Sequence, residues 1–182
     1  MKFINNKLKI EGAIVEKIAK KYDTPTYCYS YKKIKENINN FKKNFRSLSP
    51  LICFAVKSNT NINLIKEIKK FGLGADVVSM GELMIALKAG IKPNKIVFSG
   101  VGKTEEELKV AISKKILLIN CESESEAKLV NNLAKKFRKK VSIGFRLNPN
   151  IDAKTHKNIS TGKAENKFGL SIKNFKVFLK TL

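Results

Sequence analysis

Tryptophan is absent from these 182 residues, histidine occurs once, and cysteine occurs three times. Cys28, Cys53 and Cys121 are odd in number and widely spaced, which excludes a disulfide framework and points to buried thiols in a reducing cytoplasm. A lone His156 with no C-x-x-C spacing leaves no donor set for a zinc site, so no metal is expected. Long apolar runs are missing too. No stretch approaches the ~18 residues of a membrane span, and Met1 to Lys7 has no apolar leader core, so a soluble, cytoplasmic protein without a membrane partner is expected. Acidic residues are scarce, 15 against 37 basic ones, and only Arg46, Arg138 and Arg146 of the latter are arginine.

The net charge of +22 raises nucleic acid as a partner. The lysines, however, are spread over almost every helical segment instead of gathering on one face. That pattern fits a general bias toward Lys, Asn and Ile better than a dedicated phosphate-binding surface, so no nucleic-acid partner is expected. With 43% hydrophobic residues the chain can build a core.

The stretch around which the chain is organised is Ile52-Cys53-Phe54-Ala55-Val56-Lys57-Ser58-Asn59. Its uncharged start reads as a strand buried on both faces of a parallel sheet, ending on a lysine. An amine delivered to the C-terminal rim of an α/β sheet lies where such folds keep their chemistry. Partial desolvation there would hold more of it in the neutral, nucleophilic form. Most lysines are solvated surface charges, and only position sets Lys57 apart.

Upstream, apolar spacing predicts a helix from Glu11 to about Lys21, a short strand over Thr26-Tyr27-Cys28-Tyr29, and a helix capped by Ser30 running to Phe45. Downstream, strands centred near Phe54, Val77, Val97, Leu118 and Ile143 alternate with helices at about 62–71, 80–89, 104–114 and 123–138. That alternation predicts repeated βα units and a parallel sheet. Regular units without a nucleotide fingerprint favour the opening part of an eight-stranded barrel over an open doubly wound sheet.

Gly100-Val101-Gly102-Lys103-Thr104 lacks the earlier glycine of a phosphate loop, since Val97 stands in its place, and reads as a βα turn with Thr104 capping a helix. Gly72 reads as a helix stop. Ser79 and Glu82 have the spacing of a capping box. Asp76 has no comparable local duty. Arg146 ends a strand in a chain that prefers lysine, which suggests a need for a planar, permanently charged fork. The polar stretch from Pro149 to Lys167 is a candidate lid and holds His156.

Taken in order, Phe54-Ala55-Val56-Lys57-Ser58-Asn59, Gly74-Ala75-Asp76-Val77-Val78-Ser79-Met80-Gly81-Glu82-Leu83, Asn120-Cys121-Glu122-Ser123, Arg146-Leu147-Asn148-Pro149, and the loop from Thr155 to Gly162 followed by Asn166-Lys167-Phe168-Gly169 closely resemble the amino-terminal half of the diaminopimelate decarboxylases. The resemblance implies the alanine-racemase-like (β/α)8 barrel of fold-type III pyridoxal-phosphate enzymes, here in part, without the β-sandwich domain. It implies that residues 1–30 join that β domain while 31–182 form the incomplete cofactor-binding barrel. Lys57 would be the residue that links covalently to pyridoxal 5'-phosphate; Ala55, Asp76 and Arg146 would line the cofactor, and His156 and Ser160 would belong to the substrate-covering loop. The implied reaction is decarboxylation of meso-2,6-diaminopimelate to L-lysine and carbon dioxide in lysine biosynthesis, by a homodimer. Family members are considerably longer, so the resemblance implies an amino-terminal fragment with little or no activity alone. The alternatives are a related ornithine or arginine decarboxylase, a non-catalytic pyridoxal-phosphate-binding barrel protein, and a basic nucleic-acid-binding domain.

Overall fold

Short alternating stretches open the chain. In the computed structural model, which describes residues 1–151 and 169–179, β1 (Lys2–Ile4), β2 (Lys7–Ile10) and β3 (Ala13–Ile14) form an antiparallel sheet in that order. Asn5 and Asn6 carry φ of 49° and 55°, the left-handed pair that a two-residue hairpin turn requires. The helix expected from Glu11 therefore begins later: Ala13 and Ile14 are taken by pairing with Ile10 and Lys9, and α1 runs Val15–Tyr22. No strand forms over 26–29, where Tyr27 is 89% exposed and no ladder partner is offered. α2 (Tyr31–Asn44) starts as expected, Ser30 Oγ accepting from Lys33 N–H at 3.0 Å. Residues Met1–Pro50 form one compact unit, in which no side chain is buried.

Leu51–Leu182 is the second unit. It is built on five parallel strands in chain order: β4 (Cys53–Ala55), β5 (Gly74–Val77), β6 (Ile96–Phe98), β7 (Leu118–Cys121) and β8 (Ile143–Phe145). Each of the first four is followed by a helix: α3 (Ile62–Lys70), α4 (Met80–Lys88), α5 (Glu105–Lys114) and α6 (Glu124–Lys136). The α/β cadence read from the sequence is thus observed strand by strand. Beyond β8, β9 (Leu147–Asn148) pairs in parallel with β10 (Leu170–Ser171), which leads into α7 (Ile172–Leu179).

Side chains alternate across the sheet, and one face makes the core. Ala75, Val77, Ile96, Phe98, Ile119 and Cys121 are buried with Ile65, Leu83, Leu108 and Val130 of the helices. Each large aliphatic or aromatic side chain so buried contributes about 1.5–3 kcal/mol. β4 departs from expectation. It is an edge strand, its three residues only half-buried, and it stops at Ala55, because Val56–Ser58 turns as 3₁₀ helix with Asn59 N–H on Val56 carbonyl at 3.0 Å. Gly74 is required opposite it, since a Cβ there would lie 2.1 Å from the Lys95 carbonyl oxygen.

The caps follow the sequence closely. Thr104 and Glu107 form a complete capping box. At Ser79 only half a box forms: its hydroxyl accepts from Glu82 N–H at 3.3 Å, whereas Glu82 Oε2 takes the Val78 N–H at 2.9 Å. Gly72 stops α3 with φ of 77°.

Candidate functional site

The face of the sheet opposite the core carries the polar residues. Parallel register pairs Ala55 with Asp76, Asp76 with Val97, Val97 with Leu118, and Asn120 with Gly144. Period-two alternation then puts Ser99 on the same face as Val97 and Asn120, and Arg146 on the same face as Gly144. Lys57 follows Ala55 by two residues, in the 3₁₀ turn, and its side chain is exposed. The partial burial expected of it is not present, because the strand ends two residues early and the buried residue of the turn is Val56.

Among the expected site residues the sheet makes Ala55 and Asp76 neighbours, with Lys57 at the same rim. Arg146 follows β8, at the opposite edge of the same sheet from β4. Four inter-strand steps separate β4 from β8, about 19 Å measured around the sheet. His156 and Ser160, and most of the candidate lid, lie outside the described residues.

Asp76 has a partner that the sequence did not reveal. Ser99 Oγ donates to Asp76 Oδ1 at 2.6 Å, and Asn120 Nδ2 donates to Ser99 Oγ at 3.1 Å. The only available signal was compositional: Ser99 and Asn120 are polar residues at the ends of otherwise apolar strands.

A second cluster lies at the ends of β6, β7 and β8. Lys103, from the turn that superficially resembled a phosphate loop, has a fully buried side chain whose ammonium pairs with Glu126 at 2.8 Å. It also donates to the carbonyls of Gly100 and Asn120, which locks the turn to the end of β7. Glu126 accepts the Glu122 N–H at 2.8 Å, and Arg146 stands 3.6 Å from Glu122, half-exposed beside an almost buried carboxylate. Arg146 thus has an ion-pair partner, and its backbone carbonyl receives the returning chain through Leu170 N–H at 2.8 Å.

Two thiols on or beside this sheet are held neutral. Burial, then the negative charge of Asp76, raises Cys53. Burial, then Glu126, pushes Cys121 up to about 12. Neither is a nucleophile at neutral pH. The groups left at this rim are the exposed amine of Lys57, the Asp76 carboxylate bonded to Ser99, and the half-exposed Arg146 beside Glu122.

Residues 31–182 match the family described as pyridoxal-dependent decarboxylase, pyridoxal binding domain. The chain belongs to that family. Diaminopimelate decarboxylase of Helicobacter pylori strain J99 is 48% identical over 158 residues, covering 87% of this chain and 39% of that protein. The Aquifex aeolicus enzyme of the same name is 44% identical over 173 residues, 95% of this chain and 41% of its own. Among solved structures, diaminopimelate decarboxylase from M. jannaschii, in complex with L-lysine, superposes with a TM-score of 0.88 at 36% identity over 97% of this chain and 43% of that one. The five-stranded parallel sheet of this pyridoxal-binding domain corresponds to the amino-terminal barrel part of those structures. Paramecium bursaria Chlorella virus arginine decarboxylase shares the fold at a TM-score of 0.73 and 21% identity. The chain spans about two fifths of the length of the curated relatives it matches.

Proposed function

We propose that this chain is the cofactor-holding part of a decarboxylase that converts meso-2,6-diaminopimelate to L-lysine and carbon dioxide. The observation that carries the reading is Lys57, an accessible amine at the C-terminal rim of the first strand, in a chain that belongs to a pyridoxal-binding family. The substrate is supported by relatives named diaminopimelate decarboxylase at 44% to 48% identity, one of them solved with L-lysine at 44% identity.

Pyridoxal phosphate, when bound, supplies an aldehyde that captures amines and a ring that accepts the electron pair left by a departing carboxylate. The residues here fit it. Lys57 would hold the cofactor through its exposed amine. Ala55, with no side chain beyond Cβ, leaves room beside Asp76, whose carboxylate supplies a fixed negative charge for a protonated ring or amine. Arg146 supplies a permanent positive charge for an anionic group, His156 and Ser160 belong to a segment that covers the substrate, and residues 1–30 join a β domain. The full-length protein acts as a homodimer in the cytoplasm, and the 182-residue chain alone decarboxylates little or not at all.

Incubation with pyridoxal phosphate followed by borohydride reduction and peptide mapping tests the cofactor site. Label on Lys57, absent from Lys57→Ala, is expected; label confined to other lysines overturns the assignment. Carbon dioxide release by the full-length gene product from meso-diaminopimelate, in preference to ornithine and arginine, tests the substrate. Cofactor capture without turnover of any of the three would favour a non-catalytic pyridoxal-phosphate-binding barrel instead.

A further inference from the structure

The hydrogen-bond line across β5, β6 and β7 has a fixed polarity. An amide N–H of Asn120 donates to Ser99 Oγ at 3.1 Å, so that hydroxyl spends its single proton on Asp76 Oδ1, at 2.6 Å. Asp76 Oδ1 is therefore the acceptor, and one of its two oxygens is pinned. The Asn120 end of the line is held from two sides. The Asn120 carbonyl takes a hydrogen bond from the buried Lys103 ammonium at 2.8 Å. On the other flank a Cβ at position 144 would stand 2.5 Å from Asn120 Oδ1, so only glycine leaves the amide where it is.

We infer that Ser99 and Asn120 are positioning residues for Asp76: they set the rotation of its carboxylate, engaging Oδ1 and leaving Oδ2 to face the cofactor. Gly144 is the steric condition for that line. The inference rests on the reading of Asp76 as a cofactor-facing residue and adds what holds it there.

The test uses the full-length gene product, with pyridoxal phosphate affinity read from the visible absorbance of the bound cofactor and folding read from the thermal midpoint. Asp76→Asn is the reference for loss of the carboxylate. Ser99→Ala should weaken pyridoxal phosphate binding about tenfold, the size of a lost hydrogen bond to a charged group. Ser99→Thr, which keeps the hydroxyl, should restore affinity to within about twofold. Gly144→Ala, which adds no polar atom, should move affinity in the same direction as Ser99→Ala. Wild-type affinity in Ser99→Ala, with Asp76→Asn impaired, overturns the inference and leaves the functional reading standing. Equal losses in Ser99→Ala and Ser99→Thr, tracking a fall in thermal midpoint, reduce the line to packing and overturn it as well. Unchanged affinity in Asp76→Asn removes Asp76 from the cofactor site and the inference with it.

Discussion

Two lysines at the sheet rim have opposite fates, and their surroundings decide which does what. Lys57 is exposed, whereas the Lys103 side chain is fully buried, held by Glu126, by two backbone carbonyls, and over the Phe98 ring at 5.8 Å. Removing one partner of such a pair strands the other charge. Lys103→Met should therefore cost about 3 kcal/mol in urea unfolding, with much of the loss recovered in Lys103→Met/Glu126→Leu. A cost near zero for the single variant would show that the pair is not buried in solution. The thiols divide in the same manner. Cys28 is exposed, while Cys121 is buried with its acid form favoured up to about 12. Iodoacetamide at mildly alkaline pH should alkylate Cys28 promptly and Cys121 only after denaturation, as peptide mass mapping would reveal. In sequence all three cysteines looked alike.

Helix caps were the most legible elements, because capping depends on residues within four positions of one another. Ser30, Ser79, Thr104 and Ser123 each accept from the backbone N–H three residues on. Glu107 does more than its box requires: it also takes the Met80 N–H at 2.7 Å, tying the start of α5 to the start of α4. Burial works to raise its carboxyl, yet hydrogen bonds from the Thr104 and Met80 N–H groups and the Thr104 hydroxyl, with the charge of Lys103, hold it below the ordinary value. A depressed carboxyl stabilises the fold above its unfolded value of ~4.3, and that stability is lost as pH falls through the folded value. Wild type should exceed Glu107→Gln in urea midpoint near pH 7, and the gap should begin to narrow as pH falls past the unfolded value and close once the lower folded value is passed. A gap independent of pH would mean the charge is irrelevant there. The opening hairpin went unread, and the helix after it was started at Glu11 instead of Val15. Ala13 and Ile14, which the apolar spacing counted with the helix, are taken instead by the strand pairing with Ile10 and Lys9.

At the scale of the molecule, charge and architecture act separately. The described ion pairs within helices, such as Lys20 with Glu16 and Lys109 with Glu105, join neighbours three or four residues apart and contribute little each. With 37 basic against 15 acidic residues most lysines are uncompensated, so self-repulsion opposes compaction. Raising salt from low ionic strength to ~0.15 M, where the screening length is about 8 Å, should raise the urea midpoint. A midpoint that falls would indicate that attractive pairs dominate. The parallel sheet is indifferent to this excess, since its core face has only apolar side chains and cysteine.

The alternation of strands and helices and the caps were set by sequence alone, because periodicity, short-range hydrogen bonding and turn chemistry act locally. The exposure of Lys57, the burial of Lys103, and the line from Asn120 through Ser99 to Asp76 were decided by tertiary structure. Those depend on which strands become neighbours and in what register, and residues 21 to 44 positions apart carry no mark in sequence that they will meet.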